Sequence, residues 1–194
     1  YKELLASGVP PNDHIYAAII GIYTRLKRPT SAEAVWTKIE STVAENADKP
    51  ELSPVHLTKI TRRLVTAMIH MYCASAHLTK ALKLYNTMEE KYGFKPSSNC
   101  LGALLWAFGQ RRRLSMVQKL YYEFTQANPE WPGNVRIYTI LIDIYGRMGQ
   151  YHNVSKLLDE MREKNLTLDA RAVKVVIGSL IAKDEAVTSN LFLK

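Results

Sequence analysis

VRIYTILIDIYGRMGQYHNVSKLLDEMREKNLTLD, residues 135–169, is the stretch whose reading decides the fold. Two amphipathic segments meet at Met148-Gly149-Gln150. In the second, Val154, Leu157, Leu158 and Met161 recur at i, i+3, i+4 and i+7, one face of an α-helix. Ala32-Val35-Trp36-Ile39, Ala81-Leu84-Tyr85-Met88 and Val117-Leu120-Tyr121-Phe124 repeat that spacing upstream. The apolar anchors of the leading segments are Tyr16, Val65, Leu101, Tyr138 and Val173, at intervals of 49, 36, 37 and 35 residues. One helical hairpin cannot bury its apolar face alone, so hairpins in phase at such a period stack. The expected fold is all-α, an α-α superhelical solenoid of helix-turn-helix repeats.

Working outward, the units fall at 13–61, 62–97, 98–134 and 135–169, with 1–12 the end of an upstream unit and 170–194 a partial one. The whole is a single repeat array. The opening YKELLASGVPPN reads as the back half of a trailing helix, with Tyr1 and Leu4 in the places of Leu158 and Met161, so the array is expected to continue upstream. Residues 170–182 read as a further leading helix and 186–194 as a shortened trailing one. Pro10-Pro11, Pro96 and Pro132 mark the exits, since proline cannot continue a helix interior. Gly8 and Gly93 suit helix C-caps. Gly21 and Gly109 lie inside leading helices, where glycine costs about 1 kcal/mol relative to alanine; close helix packing is the expected reason. The first unit is longer than the others because of an insertion across roughly 40–61, expected to form an extended trailing helix and a surface loop through Asp48-Lys49-Pro50 and Ser53-Pro54.

Composition narrows the function. Hydrophobic residues are 47% of the 194, enough for a continuous core, and the formal charge of +8 favours an acidic partner. Cys73 and Cys100 have no metal-ligand spacing and are expected as reduced, partly buried thiols. The five histidines form no ligand pattern, and no metal or other cofactor is expected. Asp143, Asp159 and Glu160 occupy ordinary helix positions, whereas a nuclease needs converging carboxylates. No catalytic residues emerge, and the chain reads as a non-enzyme. No apolar run approaches ~18 residues, so no membrane span is expected. Trp36 and Tyr85 fall on the packing face and belong to the core. Arg111-Arg112-Arg113, at an inter-helix turn, is either a phosphate grip or a solvated turn.

The residues YTILIDIYGRMGQYHNVSKLLDEMREKNLTLD (138–169), KALKLYNTMEEKYGFKPS (80–97) and KELLASGVPPN (2–12) resemble the pentatricopeptide repeat: a Y-N-x-L-I start, glycine near the turn, A-x-x-L-F-x-x-M in the second helix, and a G-x-x-P-[DNS] exit. Unit 98–134 departs at its exit, QANPEWPGN. The tetratricopeptide repeat, of similar period, would place W-x2-L-G-x2-Y in the first helix, and this chain lacks it.

The resemblance implies single-stranded RNA binding on a concave face lined by leading helices, about one base per repeat. The base-facing position it assigns is Ala17, Thr66, Gly102, Thr139 and Lys174 in successive units. The second recognition position, last in the exit turn, is Asn12, Ser97, Asn134 and Asp169, with Thr61 a guess for the unit carrying the insertion. Thr139 with Asp169 resembles the family's guanine-preferring pair, and Thr66 with Ser97 suggests a purine. Ala17 and Gly102 carry no polar side-chain atom and cannot read a base edge. The wedge position is His14, Arg63, Asn99, Arg136 and Arg171, and arginine there can stack on bases or pair with phosphate. The basic phosphate-contact position is filled by Arg25 and Arg147, but is Ala74 and Gln110 elsewhere. The expected role is therefore an organellar RNA-binding protein of the mitochondrial matrix rather than a plastid, acting in RNA processing, stability or translation. The alternative is a structural subunit of a mitochondrial ribosome or related assembly, bound to rRNA and other organellar proteins.

Overall fold

The computed structural model describes residues 11–46, 57–170 and 172–181. The regular structure among them is helical: α1 Asp13–Arg25, α2 Pro29–Asn46, α3 Arg62–Ala74, α4 Leu78–Asn86, α5 Met88–Tyr92, α6 Ser98–Gln110, α7 Leu114–Ala127, α8 Val135–Arg147 and α9 Tyr151–Glu163. A tenth helix, α10, covers 172–181. Tyr1, Leu4, Gly8, Arg171, the insertion at 47–56 and the trailing segment at 186–194 lie outside the described residues. The chain divides into two compact units, Tyr1–Leu104 and Leu105–Lys194.

In the first unit α1 packs on α2 and α3, and α3 packs on α2 and α4. The periodic face becomes the core: Ala32, Val35, Trp36 and Ile39 of α2 are buried, as are Leu64, Val65, Met68 and Ile69 of α3. Each large aliphatic side chain buried in this way is worth about 1.5–3 kcal/mol. The extended trailing helix exists, since α2 runs for 18 residues. Asn46 Nδ2 donates to the Leu57 carbonyl at 3.1 Å, and Leu57 is buried, which ties the two sides of the insertion together. The trailing helix of the next hairpin is not continuous. It breaks at Thr87, whose hydroxyl donates back to the Lys83 carbonyl at 3.0 Å. Such back-bonding competes with the helical ladder and bends helices; hydrophobic spacing is blind to it.

In the second unit α8 packs on α9, with Tyr138, Leu141, Ile142 and Tyr145 buried along with Val154, Leu157 and Met161. The departure of QANPEWPGN from the repeat exit has a packing cause. Trp131 lies nearly parallel to Tyr138, with centroids 6.4 Å apart, and meets Phe124 edge-on at 5.3 Å. The Lys164 ammonium sits 5.6 Å from the indole centroid. Nearby, the hydroxyls of Tyr121 and Tyr138 both donate to Glu160 Oε2 at 3.4 Å. Burial, then the Tyr138 hydroxyl, raises the pKa of Tyr121. An indole plug thus packs the exit of this hairpin against Phe124 and Tyr138.

The inter-helix turns share one backbone device. Lys27, Ala76, Arg112 and Gly149, each eleven residues past its anchor, have φ of 54°, 67°, 54° and 70°. The next N–H of each turn donates back across it, to Tyr23, Tyr72, Phe108 and Tyr145 respectively, at 2.8–3.1 Å. This is the left-handed helix C-terminus that glycine favours, and only Gly149 declares it in the sequence.

Two expectations change. Close packing explains Gly109, where an added Cβ would collide with the Ile144 side chain, but not Gly21, which has nothing within 4 Å. Gly146 is the equivalent of Gly109 one repeat later, and its Cβ would strike the Ser179 side chain. Cys73 and Cys100 are buried outright rather than partly, at 3% and 0% exposure.

Candidate nucleic-acid interface

The residues named for the exit turn begin the leading helices. Asn12 Oδ1 accepts from the Ile15 N–H at 3.0 Å, Thr61 Oγ1 from Leu64 at 3.5 Å, Asn134 Oδ1 from Arg136 at 2.9 Å and Asp169 Oδ1 from Ala172 at 2.7 Å. Each satisfies an orphan donor of a helix N-terminus. One oxygen caps, which leaves Nδ2 of Asn12 and Asn134 and Oδ2 of Asp169 for another partner. Ser97 differs. Its hydroxyl donates to Cys100 Sγ at 3.5 Å, while its carbonyl accepts from the Leu101 N–H.

The threonines assigned to face bases are also engaged. Thr66 donates to the Arg62 carbonyl and Thr139 to the Val135 carbonyl, both at 2.7 Å. Thr139 is 7% exposed, and Thr66 is half-buried. A hydroxyl has one proton, so what remains to each is acceptor capacity. Thr66 Oγ1 also lies 3.3 Å from Cys100 Sγ. With the threonine proton on Arg62, the thiol is the donor. Cys100 therefore joins Thr66 to Ser97, the two residues paired for one repeat, in a way no spacing signals. The later repeats have no thiol to repeat this bridge: position 100 corresponds to Ile137 and Ala172 there.

The basic residues are exposed but differently held. Arg63 Nε sits 3.6 Å from Asp13 Oδ2. Arg147 is positioned from two sides, by Asp143 Oδ2 at 2.5 Å and by Gln110 Oε1 at 3.5 Å. Arg25 is in the last turn of α1, where a cation suits the helix dipole. Arg136 and Lys174 are exposed, as is the Arg111-Arg112-Arg113 turn, although Arg111 Nη1 is committed to the Ala107 carbonyl at 2.9 Å. Arg171 lies outside the described residues. Gly102 is buried and Ala17 half-buried.

On the trailing helices of the first unit, a pocket of about 550 Å³ is lined by Trp36, Tyr72, Lys80, Lys83, Lys91 and Tyr92 among others. Its lysines are largely neutralised from within. Lys80 meets Glu33 at 2.6 Å and Lys91 meets Glu40 at 3.3 Å. Burial, then the Glu33 carboxylate, pushes the Tyr72 phenol up to about 12. These pairs are struts between hairpins rather than an anion cradle. Among the described residues no three of His, Cys, Asp and Glu converge as metal ligands, and no helix is long and apolar enough to cross a membrane.

With the leading-helix face laid out, comparison with known proteins places it in a class. Residues 64–92 and 136–166 match the model of the PPR repeat. A chloroplastic pentatricopeptide repeat-containing protein of Arabidopsis thaliana is 23% identical over 112 residues, which is 58% of this chain and 8% of that protein. PPR10 solved in complex with an 18-nucleotide psaJ RNA element superposes with a TM-score of 0.73 at 18% identity, over 92% of this chain and 24% of that one. PPR10 from maize superposes with a TM-score of 0.65 at 16% identity, over 98% of this chain and 25% of that one. The chain thus carries pentatricopeptide repeats at 64–92 and 136–166, and its fold is the helical repeat solenoid seen in PPR10. It spans a quarter or less of the length of these relatives.

Proposed function

We propose that this chain is a non-enzymatic, organellar RNA-binding protein that engages single-stranded RNA along its leading helices. One observation carries the reading. Four of the five described leading helices begin at a side-chain cap, Asn12, Thr61, Asn134 and Asp169, and in α8 and α10 that cap is followed by exposed basic side chains, Arg136, Arg147 and Lys174. Thr139 and Asp169 both keep acceptor lone pairs after their internal hydrogen bonds, which suits the N1–H and N2–H donors of guanine. The solved relative that carries RNA has the same fold. The process is RNA processing, stability or translation. The mitochondrial matrix is the compartment proposed from the irregular repeats. The chloroplastic relative weighs for the plastid, and immunolocalisation of the native protein decides between them.

Anisotropy titration of labelled single-stranded RNA tests the reading. Affinity is expected to fall as salt rises, with a logarithmic slope of about −0.7 per phosphate neutralised. Absence of binding at low salt overturns it. A second reading, an rRNA-binding ribosomal subunit, is favoured by Ala17 and Gly102, which break a one-base-per-repeat code. It requires co-sedimentation with ribosomal subunits after nuclease removal of free mRNA.

A further inference from the structure

We propose that Trp106 is a stacking platform for a nucleobase, so that repeat 98–134 holds RNA without reading which base is present. The inference rests on the RNA-binding reading above and adds a site to it. Trp106 lies in α6 with 46% of its surface exposed, whereas Trp36 is 9% exposed and Trp131 is the plug described above. Among the described residues no ring or cation covers the Trp106 indole. An uncovered indole face is a large apolar area with a π-surface, and bases stack on such faces irrespective of sequence.

Its place on the helix gives it a purpose. Gly102, Trp106 and Gln110 stand at i, i+4 and i+8, one stripe of α6. Gly102 fills the position at which other repeats carry Thr66 or Thr139, and it has no polar atom to offer a base. At the next turn, where the neighbouring repeats have His70 and Asp143, this repeat has an indole. One turn further, Gln110 Oε1 accepts from Arg147 Nη1 at 3.5 Å, and Asp143 holds the same guanidinium. Gln110, about one helical turn or roughly 5 Å along the stripe from Trp106, thus ties the Arg147 cation to this helix, and a phosphate there would compete with Asp143 for it. The repeat that has lost its hydrogen-bonding reader keeps a base by stacking.

The test is anisotropy titration of the full chain with labelled oligo(A) and oligo(U), comparing wild type with Trp106→Ala, Trp106→Leu and Trp106→Phe. Stacking on an aromatic predicts a loss of roughly 5- to 150-fold for Ala, a similar loss for Leu, which keeps the bulk but not the π-face, and substantial rescue by Phe. The salt slope stays unchanged, because no charge is removed. In an abasic scan of the oligonucleotide, one position is expected at which wild type and Trp106→Ala bind alike. Equal affinity of wild type, Ala and Leu overturns the platform while leaving the RNA-binding reading intact; so does an abasic scan in which every position penalises both proteins equally. Failure of the wild type to bind either RNA is the distinct outcome that removes the RNA-binding reading itself. Circular dichroism guards the Ala variant, and should that variant fail to fold, the contrast between Leu and Phe decides the matter.

Discussion

At the scale of the residue, the glycines of the leading helices show how surroundings set the sign of a substitution. Alanine is intrinsically favoured over glycine in a helix by about 1 kcal/mol. At Gly21 nothing opposes that gain, so Gly21→Ala is expected to stabilise by about 0.5–1 kcal/mol. At Gly109 the new methyl meets Ile144, and overpacking of this kind costs roughly 1–3 kcal/mol. Gly109→Ala is therefore expected to lower the denaturation midpoint while Gly21→Ala raises it. Urea unfolding of the two variants measures both, and an equal response would show that α6 and α8 are not held at that spacing. Thr66, Ser97 and Cys100 make a related point: a side chain expected to face a base can already be committed within the fold.

At the scale of the element, a residue that begins a helix does structural work whatever it binds. Asn134→Ala removes the acceptor for the Arg136 N–H and is expected to cost about 1 kcal/mol. Asn134→Asp keeps the cap and adds an anion where the helix dipole favours one, so stability is retained. RNA affinity is expected to fall in both, and only the Ala variant should also show a lower melting temperature. The exit of α7 depends on Trp131, which touches Phe124, Tyr121 and Tyr138. Trp131→Ala is expected to destabilise by roughly 2–4 kcal/mol, with Trp131→Phe recovering part of the loss. A change within about 0.5 kcal/mol, read by thermal unfolding, would deny the plug its role.

At the scale of the whole molecule, hairpins within each compact unit share an apolar spine, and ion pairs such as Glu33–Lys80 add a small term at its edge. The Lys80 ammonium, by hydrogen bond and then by charge, holds the Glu33 carboxyl below its usual value against an opposing effect of burial. A carboxyl lowered on folding stabilises fully above its unfolded pKa, and that contribution is lost as the pH falls through the lower folded value. The side chains are 56% and 31% exposed, so the pair is worth less than about 1 kcal/mol. Glu33→Gln is accordingly expected to leave a shallower acid limb in a plot of melting temperature against pH, with the neutral-pH value lowered slightly. An identical acid limb would show the pair to be inert.

What the sequence determined by itself is the architecture. Ala32, Val35, Trp36 and Ile39, repeated in phase by Val154, Leu157 and Met161, place burial on one face of each trailing helix, because a helix has a fixed period and water rejects that face alike in every copy. The position of each leading helix followed from the same pattern, and the resemblance to the pentatricopeptide repeat from the motifs at the starts, turns and exits. Tertiary structure alone decided the rest. Lys27, Ala76 and Arg112 adopt the left-handed turn of Gly149 without glycine, since the packing of the two helices each turn joins outweighs a local strain of about 1–2 kcal/mol. Cys100 reaches Thr66 across 34 positions, and Trp106 is left 46% exposed while Trp131 stacks on Tyr138, because contacts between hairpins depend on which surfaces meet in space, and periodicity along one chain records only which surface each helix turns inward.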